Sequence, residues 1–218
     1  MKGQITKPSV LAVRLIANIN QDLYRRLNLK GSARSIGIIT ADSDDVLYTA
    51  LDEATKDAQV EVVYAKSMYA GAANASTKYA GEVIGIISGQ TPDEVKSGIQ
   101  SVKNFFESGV GFKSANEEDS VVYYAHTISR TGTYLSSVAG IREGEPLAYL
   151  IAPPLEAVYG LDAALKAADV RMKVFFGPPS ETNFGGGLLT GSQSACKAAA
   201  AAFSEAVVSV AEQNLQWL

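Results

Sequence analysis

The chain has 218 residues and a net charge of −4 at pH 7; 47% of its residues are apolar and 19% are charged. The length suits one large domain or two small ones, and a charged fraction below the usual ~25% indicates extensive burial in cores or subunit interfaces. The negative charge argues against a nucleic-acid or membrane partner. No stretch approaches the roughly 18 uninterrupted apolar residues of a membrane span. A single cysteine excludes an internal disulfide.

The first half of the chain alternates strand and helix patterns. Apolar, β-branched runs indicate strands, and apolar residues at positions 47, 50, 51, 54 and 58 recur at helical spacing. The pattern predicts a strand, a short helical segment, a strand, a helix and two further strands, at residues 9–17, 18–27, 35–40, 47–58, 60–65 and 82–88.

The last helix of this half has clear start and stop signals. Thr91 can cap the helix, Pro92 suits the first helical position, and Glu94 can complete a capping box. An apolar stripe follows, and Gly109 fits just past the helix end. The half therefore contains a four-strand sheet and two main helices.

The second half repeats the first. Residues 46–60 align with 156–170, so that Leu51 and Asp52 fall on Leu161 and Asp162 at a shift of 110 positions. The run GIISGQ aligns with GLLTGS at a shift of 102, and residues 9–17 resemble 120–128. The eight missing residues belong in the loop before GLLTGS, since surface loops tolerate changes in length.

The same elements thus occur twice in the same order. We predict an α+β fold of two tandem domains, residues 1–109 and 110–218, each a four-strand mixed sheet with helices packed on it. The helix of the second half that matches the capped helix of the first has its apolar stripe at residues 196, 200, 203, 207 and 210.

Residues with nucleophilic or phosphate-binding character do not form a catalytic pattern. Cys196 lies on an apolar helical stripe, where a cysteine behaves as a small hydrophobe, and nothing in the spacing connects it to His126. The glycines at 185–187 lead into a strand rather than a Gly-Lys-Ser/Thr helix start, so a permissive turn or a close backbone approach between subunits is the better interpretation.

The run of Asp42, Asp44 and Asp45 leaves two interpretations open. Carboxylates at a helix start can cap the helix and complement its dipole. Three of them within four positions could also hold a metal ion or an organic ammonium, with Tyr69 and Phe112 as aromatic partners for a cation. The polar loop at 178–184 is either an ordinary connection or a rim of hydrogen-bonding groups.

Six longer runs carry a resemblance to a known family. They are ADSDDV, EVVYAKSMYAGAA, SRTGTYLSS, APPLEAVYGLDAALKAADV, PPSETNF and LTGSQSACKAA. The chain, from about Lys7 to Ala211, resembles the tandem-domain shell proteins of ethanolamine-utilisation bacterial microcompartments.

The resemblance implies an assembly as well as a fold. Family members contain two circularly permuted shell domains and form homotrimers that mimic hexamers. These trimers tile with other shell proteins into sheets around the enzymes of ethanolamine degradation. A pore on the three-fold axis can be closed or open, and ethanolamine in a smaller pore favours the closed state. The implied location is the microcompartment shell, and no enzymatic activity is expected.

The resemblance also places the ethanolamine pocket. The implied residues are Asp44, Asp45, Glu82, Phe112, Thr182, Asn183 and Phe184, with Tyr69 and Glu156 nearby. Carboxylates and Phe112 suit a protonated amine, and Thr182 and Asn183 can bond its hydroxyl. No permanent cofactor is expected, although Asp45 and Glu82 could hold zinc in an open-pore state.

Two other classes of function make different predictions. A cytosolic small-molecule sensor would bind a ligand without forming a lattice, by analogy with other α+β folds. An enzyme would need a convergent acid, base and nucleophile, and the sequence offers no such set.

Overall fold

The computed structural model describes residues 2–67, 83–178, 183–213 and 215. The predicted site residues Tyr69, Glu82 and Thr182 lie outside these ranges. The chain divides into two compact units: a first unit of residues 8–110 and 132–135, and a second unit of residues 1–7, 111–131 and 136–218.

The first unit is built on a four-strand antiparallel sheet with the strand order β1-β2-β4-β3. Its strands are β1 (Val10–Ile16), β2 (Ser35–Ala41), β3 (Glu61–Ser67) and β4 (Val83–Gly89). Its helices are α1 (Gln21–Arg26), α2 (Asp44–Asp57) and α3 (Pro92–Glu107).

The second unit is built on a five-strand antiparallel sheet with the order β5-β6-β7-β9-β8. Its strands are β5 (Lys113–Ser114), β6 (Val122–Ile128), β7 (Leu147–Ala152), β8 (Val170–Phe176) and β9 (Gly185–Gly191). Its helices are α5 (Pro154–Ala167) and α6 (Gln193–Glu212). Helix α4 (Thr133–Ala139) starts within the segment 132–135 of the first unit.

The predicted α+β class and the duplicated element order are confirmed, but two details differ. Every strand pair is antiparallel rather than mixed. Strands β2 and β3, which a helix joins, do run parallel, but β4 lies between them and pairs with both. The two-residue strand β5 adds a fifth strand to the second sheet. The predicted domains 1–109 and 110–218 follow the repeat in the sequence, and this division stays a prediction.

Close contact between helix and sheet in the first unit depends on glycine. A Cβ atom at Gly85 of β4 would lie 2.7 Å from the Leu51 side chain, and one at Gly37 of β2 would lie 2.9 Å from Ile99. Both distances are shorter than real carbon contacts, so the absent side chains let α2 and α3 approach the strands. Leu51 is fully buried at this contact.

The core of the second unit lies between its sheet and helices α5 and α6. Phe203, Leu161 and Cys196 are all at most 2% exposed there. Helix α6 is long and apolar enough, by length and composition alone, to cross a membrane. Core helices of soluble proteins meet the same criterion, and α6 places Phe203 and Cys196 in this core.

The glycine run at 185–187 does not form the permissive turn that was one of its two interpretations. It is the start of β9, and a Cβ atom at Gly186 would lie 1.9 Å from the Leu150 carbonyl oxygen of β7. The backbone does approach closely here, between neighbouring strands of one sheet, while a close approach between subunits stays a prediction.

The predicted ends of α3 are confirmed. The Thr91 hydroxyl accepts from the Glu94 N–H at 3.3 Å, and the Glu94 carboxylate accepts from the Thr91 N–H at 3.0 Å. The helix ends at Glu107, and Gly109 follows with a φ of 83°, in the left-handed region that glycine enters without strain.

A buried carboxylate on α2 caps the start of α4 within the first unit. Asp52, fully buried, accepts hydrogen bonds from the N–H groups of Gly132 at 2.7 Å and Leu135 at 2.8 Å. The Thr55 hydroxyl accepts from the Thr133 N–H at 3.0 Å. Burial raises the pKa of Asp52 above its ordinary value, while the two N–H donors and Lys56 oppose the shift.

We expect Asp52→Ala to lower the free energy of unfolding by about 2–4 kcal/mol, because two buried N–H groups lose their acceptor. Asp52→Asn keeps one acceptor oxygen and should lose less. Urea denaturation followed by circular dichroism measures both variants.

The matched control is Asp93→Ala, because Asp93 is an exposed aspartate paired with Lys96 on α3. This variant should lose less than about 1 kcal/mol. Equal losses in Asp52→Ala and Asp93→Ala would contradict the capping role of Asp52.

Candidate functional site

The acidic start of α2 forms a hydrogen-bonded group with β3. Asp44 is 8% exposed, and its Oδ2 accepts from the Ser67 hydroxyl at 2.7 Å. The Tyr48 and Ser67 hydroxyl oxygens are 2.7 Å apart. Because Ser67 already donates its one proton to Asp44, the Tyr48 hydroxyl is the donor in this second bond. These two consecutive hydrogen bonds, from Tyr48 to Ser67 and from Ser67 to Asp44, fix the orientation of the Asp44 carboxylate.

Asp45, the next residue, is 6% exposed and also lies in the first turn of α2. Its N–H donates to Asp44 Oδ1 at 2.9 Å, and its carbonyl accepts from the Thr49 hydroxyl at 2.9 Å. The positive end of the helix dipole favours carboxylates at this position. The helix start therefore presents two buried carboxyl groups close together in sequence and space.

The three aspartates of the predicted acidic run have two different roles. Asp42 precedes the helix and accepts from the Ser9 N–H at 2.7 Å, which links the start of β1 to the end of β2. Ser43 occupies the cap position without a side-chain cap bond, and its buried hydroxyl has no hydrogen-bond partner among the described residues. Asp42 is thus structural, whereas Asp44 and Asp45 are the candidate site pair.

The aromatic part of the predicted site lies in the second unit. The Phe112 ring is 5.8 Å from the Phe184 ring, edge to face, and 5.5 Å from the Tyr124 ring. Tyr124 is 5.6 Å from Tyr149 and stacks on His126 at 5.8 Å. Rings at these separations form a rigid apolar cluster whose faces can attract a cation.

The polar loop contributes one described residue of the predicted pocket besides Phe184. Asn183 is exposed and has a φ of 63°, a left-handed conformation that asparagine tolerates better than most residues. Glu156 is half-buried in the first turn of α5. The structure thus places Asp44 with Asp45, and Phe112 with Phe184, each pair within its own unit.

The grouping of these two pairs with Glu82 and Thr182 into one pocket stays a prediction, as does the placement of Tyr69 nearby. Within the described residues, no group of three or more His, Cys, Asp or Glu side chains is placed to hold a metal ion. The predicted zinc pair includes Glu82, outside the described ranges, so it stays a prediction as well.

The structure separates the two residues that could have formed a nucleophilic pair. Cys196 packs with Ala148 and Leu150 on the helix-covered side of the sheet, and burial raises the pKa of its thiol. His126 pairs with Tyr149 of β7. Tyr149 lies between Ala148 and Leu150 along the strand, so its side chain is on the opposite face of the sheet from theirs. Cys196 and His126 therefore lie on opposite faces of the sheet.

Sequence reasoning missed Tyr48, Ser67 and the tyrosines of the ring cluster around Phe112, although it named Phe184. Tyr48 stands four residues after Asp44, a spacing that places both on one helix face, so this signal was available. Ser67 comes from β3, and its contact with Asp44 depends on how the strand packs beside the helix. Tyr124 contacts Phe112 and Tyr149 contacts Tyr124 in turn. The two tyrosines lie on one face of the sheet, which follows only from the register of β6 and β7.

Comparisons with known proteins connect this architecture to one family. A family description, the BMC domain, matches residues 35–116. The bacterial microcompartment shell protein EutL of Clostridium perfringens (strain 13 / Type A) is 65% identical over 215 residues, covering 99% of each chain.

Solved structures give the same result. The crystal structure of the ethanolamine utilization protein EutL from Leptotrichia buccalis C-1013-b superposes with a TM-score of 0.97 at 67% identity, covering 100% of both chains. EtuB from Clostridium kluyveri superposes with a TM-score of 0.77 at 20% identity, over 93% of this chain and 88% of EtuB. At that identity the similarity to EtuB concerns the fold alone.

The hydrogen-bonded tyrosine at the acidic helix start should make stability sensitive to alkali. Burial, with the carboxylates of Asp44 and Asp45, raises the pKa of Tyr48 from 10.0 to about 12. The folded protein then holds the phenol proton more tightly than the unfolded chain. Stability from Tyr48 is therefore complete below pH 10 and is lost as pH rises toward about 12.

Urea midpoints measured across this alkaline range should fall more steeply for the wild type than for Tyr48→Phe. Tyr64→Phe, at an exposed tyrosine on β3, is the control and should follow the wild type. Parallel curves for the wild type and Tyr48→Phe would contradict the assignment.

Proposed function

The chain belongs to the EutL family of bacterial microcompartment shell proteins, and on this premise we propose that three copies close into a ring with a gated central pore. As a family member, the chain is a structural shell protein rather than an enzyme, and it localises to the microcompartment shell. The trimer, the pore and the ligand are the parts of the proposal that experiments must test.

The observation that carries the proposed trimer is the duplication of one fold unit in one chain. The first sheet has the order β1-β2-β4-β3, and the second has the equivalent order β6-β7-β9-β8 with β5 added. Three such chains supply six similar units, which suits a six-sided plate with cyclic symmetry. The low charged fraction of 19% also suits a protein with large contacts between subunits.

We further propose that these plates tile edge to edge with other shell proteins around the enzymes of ethanolamine degradation. A pore on the three-fold axis would let metabolites or cofactors pass, and ethanolamine bound in a smaller pore of each subunit would favour its closed state. The family relationship supports this part of the proposal.

The proposed ethanolamine pocket combines charge with aromatic faces. Its residues are Asp44, Asp45, Glu82, Phe112, Thr182, Asn183 and Phe184. Two features support it: Asp44 and Asp45 are buried carboxyl groups at a helix start, and Phe112 belongs to a ring cluster. Carboxylates and an aromatic face recognise a protonated amine, while hydroxyl and amide groups recognise its hydroxyl.

Zinc binding by Asp45 and Glu82 in an open-pore state is a separate proposal. Two carboxylates supply only part of the tetrahedral set that zinc usually takes, so other ligands would have to complete it. Zinc should raise the melting temperature of the wild type but not of Asp45→Asn if this pair holds the ion.

We expect Asp45→Asn and Phe112→Ala each to weaken ethanolamine binding by about 30-fold or more. The first variant removes a buried charge and the second an aromatic face, and truncation of one partner of a buried charged contact costs about 2–5 kcal/mol. Isothermal titration calorimetry with ethanolamine measures the change.

Asp93→Asn removes an exposed carboxylate far from the proposed pocket in sequence and serves as the control, with unchanged affinity expected. Wild-type affinity in both pocket variants would show that ethanolamine binds elsewhere or not at all.

The purified wild type should sediment as a trimer, with three times the 23.0 kDa mass of one chain. At high concentration it should form two-dimensional sheets visible by negative-stain electron microscopy. A chain that binds ethanolamine yet remains monomeric and forms no sheets would instead support the small-molecule sensor. Analytical ultracentrifugation thus separates the two functions.

A further inference from the structure

Three side chains of the first unit form a chain of hydrogen bonds that ends on the Asp44 carboxylate. The Tyr48 hydroxyl donates to Ser67, and the Ser67 hydroxyl donates to Asp44 Oδ2, each at 2.7 Å. Asp44 and Tyr48 lie about one turn apart on α2, and Ser67 is the last residue of the edge strand β3. The chain therefore joins the first turn of the helix to the end of the strand beside it.

The second repeat replaces all three residues of this chain. At the shift of 110 positions they correspond to Pro154, Val158 and Gly177. None of these three has a side chain that can form a hydrogen bond. The second unit nevertheless builds the equivalent strand order β6-β7-β9-β8, with the helix α5 in the place of α2. The fold therefore does not require the chain of hydrogen bonds, and its presence in one repeat alone indicates a role at the acidic helix start.

The two hydrogen bonds that Asp44 accepts leave part of its carboxylate available to a ligand. Ser67 donates to Oδ2, and the Asp45 N–H donates to Oδ1 at 2.9 Å. A carboxylate accepts about four hydrogen bonds, so acceptor positions remain on both oxygens. Asp44 is only 8% exposed, so little water competes for them. Both oxygens are thus held in place while they can still accept from the ammonium group of a ligand.

Tyr48 sets the direction of the chain. Because its phenol donates to Ser67, the Ser67 proton is directed to Asp44. Burial, with the carboxylates of Asp44 and Asp45, raises the pKa of Tyr48 to about 12. The phenol therefore stays a donor at every pH at which a primary amine carries its charge, below about 10.

Tyr48 is in turn held by the start of α4. Its ring lies 6.3 Å from the ring of Tyr134. Tyr134 belongs to the segment whose backbone N–H groups bind the buried Asp52 carboxylate. Neighbouring aromatic rings restrict each other's side-chain rotamers, so the donor at the beginning of the chain is fixed as well.

We propose that Ser67 and Tyr48 are positioning residues of the ethanolamine site, which hold the Asp44 carboxylate in the orientation that receives the ammonium group. The inference rests on the proposed ethanolamine pocket. Neither residue has to touch the ligand, because each acts through Asp44. A carboxylate without these donors would sample several rotamers, and fixing one of them on binding would cost affinity.

Isothermal titration calorimetry with ethanolamine measures the effect. Ser67→Ala removes a hydrogen bond to a charged group, so the affinity should fall by about 10-fold or more. Tyr48→Phe keeps the bond between Ser67 and Asp44 but no longer directs the Ser67 proton, so a loss of about 3-fold is expected. Ser67→Thr keeps the hydroxyl on a side chain that suits a strand, and its affinity should stay within about 2-fold of the wild type.

A double variant separates a chain of hydrogen bonds from two independent effects. If Tyr48 acts through Ser67, the Tyr48→Phe, Ser67→Ala double variant should bind ethanolamine as weakly as Ser67→Ala alone. Losses that multiply in the double variant would show that Tyr48 acts on the site independently, and would overturn its place in the chain.

Ser101→Ala is the matched control. Ser101 on α3 is 7% exposed, and its hydroxyl donates at 2.6 Å to Asp57, the last residue of α2. This variant also loses a bond from a serine to an aspartate of the same helix, but at the opposite end from Asp44. Its affinity for ethanolamine should equal that of the wild type. Circular dichroism verifies that every variant folds.

Unchanged affinity in Ser67→Ala, with a wild type that binds ethanolamine, would overturn this inference and leave the proposed pocket intact. Equal losses in Ser67→Ala and Ser67→Thr, or in Ser67→Ala and Ser101→Ala, would also overturn it, because the loss would then be structural. A wild type that does not bind ethanolamine would contradict the proposed ligand, and this inference with it.

Discussion

The Asp52 carboxylate connects the two repeats of this chain. It accepts two backbone hydrogen bonds from the start of α4 while being fully buried on α2. A buried carboxylate is costly unless donors surround it, and here N–H groups of a helix start supply them at the positive end of the helix dipole. This arrangement ties a segment of the second repeat to the helix of the first.

The duplicated helices show how one motif acquires two environments. In α2, Asp52 is fully buried and accepts backbone N–H groups from the start of α4, while its counterpart in α5, Asp162, is exposed and pairs with Lys166. Helix α5 also carries four exposed apolar side chains, Leu155, Val158, Tyr159 and Leu165. A monomer gains nothing from four exposed apolar residues on one helix face. Such exposed apolar side chains suit a shell protein, because its function is to assemble.

Neighbouring side chains hold the candidate site residues in place. Asp44 is fixed by Ser67 and Tyr48, and the Phe112 ring is held by neighbouring rings. Cys196 lies in the core on one side of the sheet, and His126 lies on the other. These two residues therefore do not form the nucleophilic pair that the sequence raised.

The sequence by itself determined the duplicated α+β unit, the strand and helix order and the ends of α3, because these follow from local periodicity and from capping residues such as Thr91 and Glu94. It also indicated Asp44 and Asp45 as a carboxylate pair. Only the tertiary structure decided that β4 lies between β2 and β3, that Ser67 binds Asp44, and that Asp52 is buried while Asp162 is exposed. Identical motifs cannot encode that last difference, because burial depends on which distant segment packs against the helix.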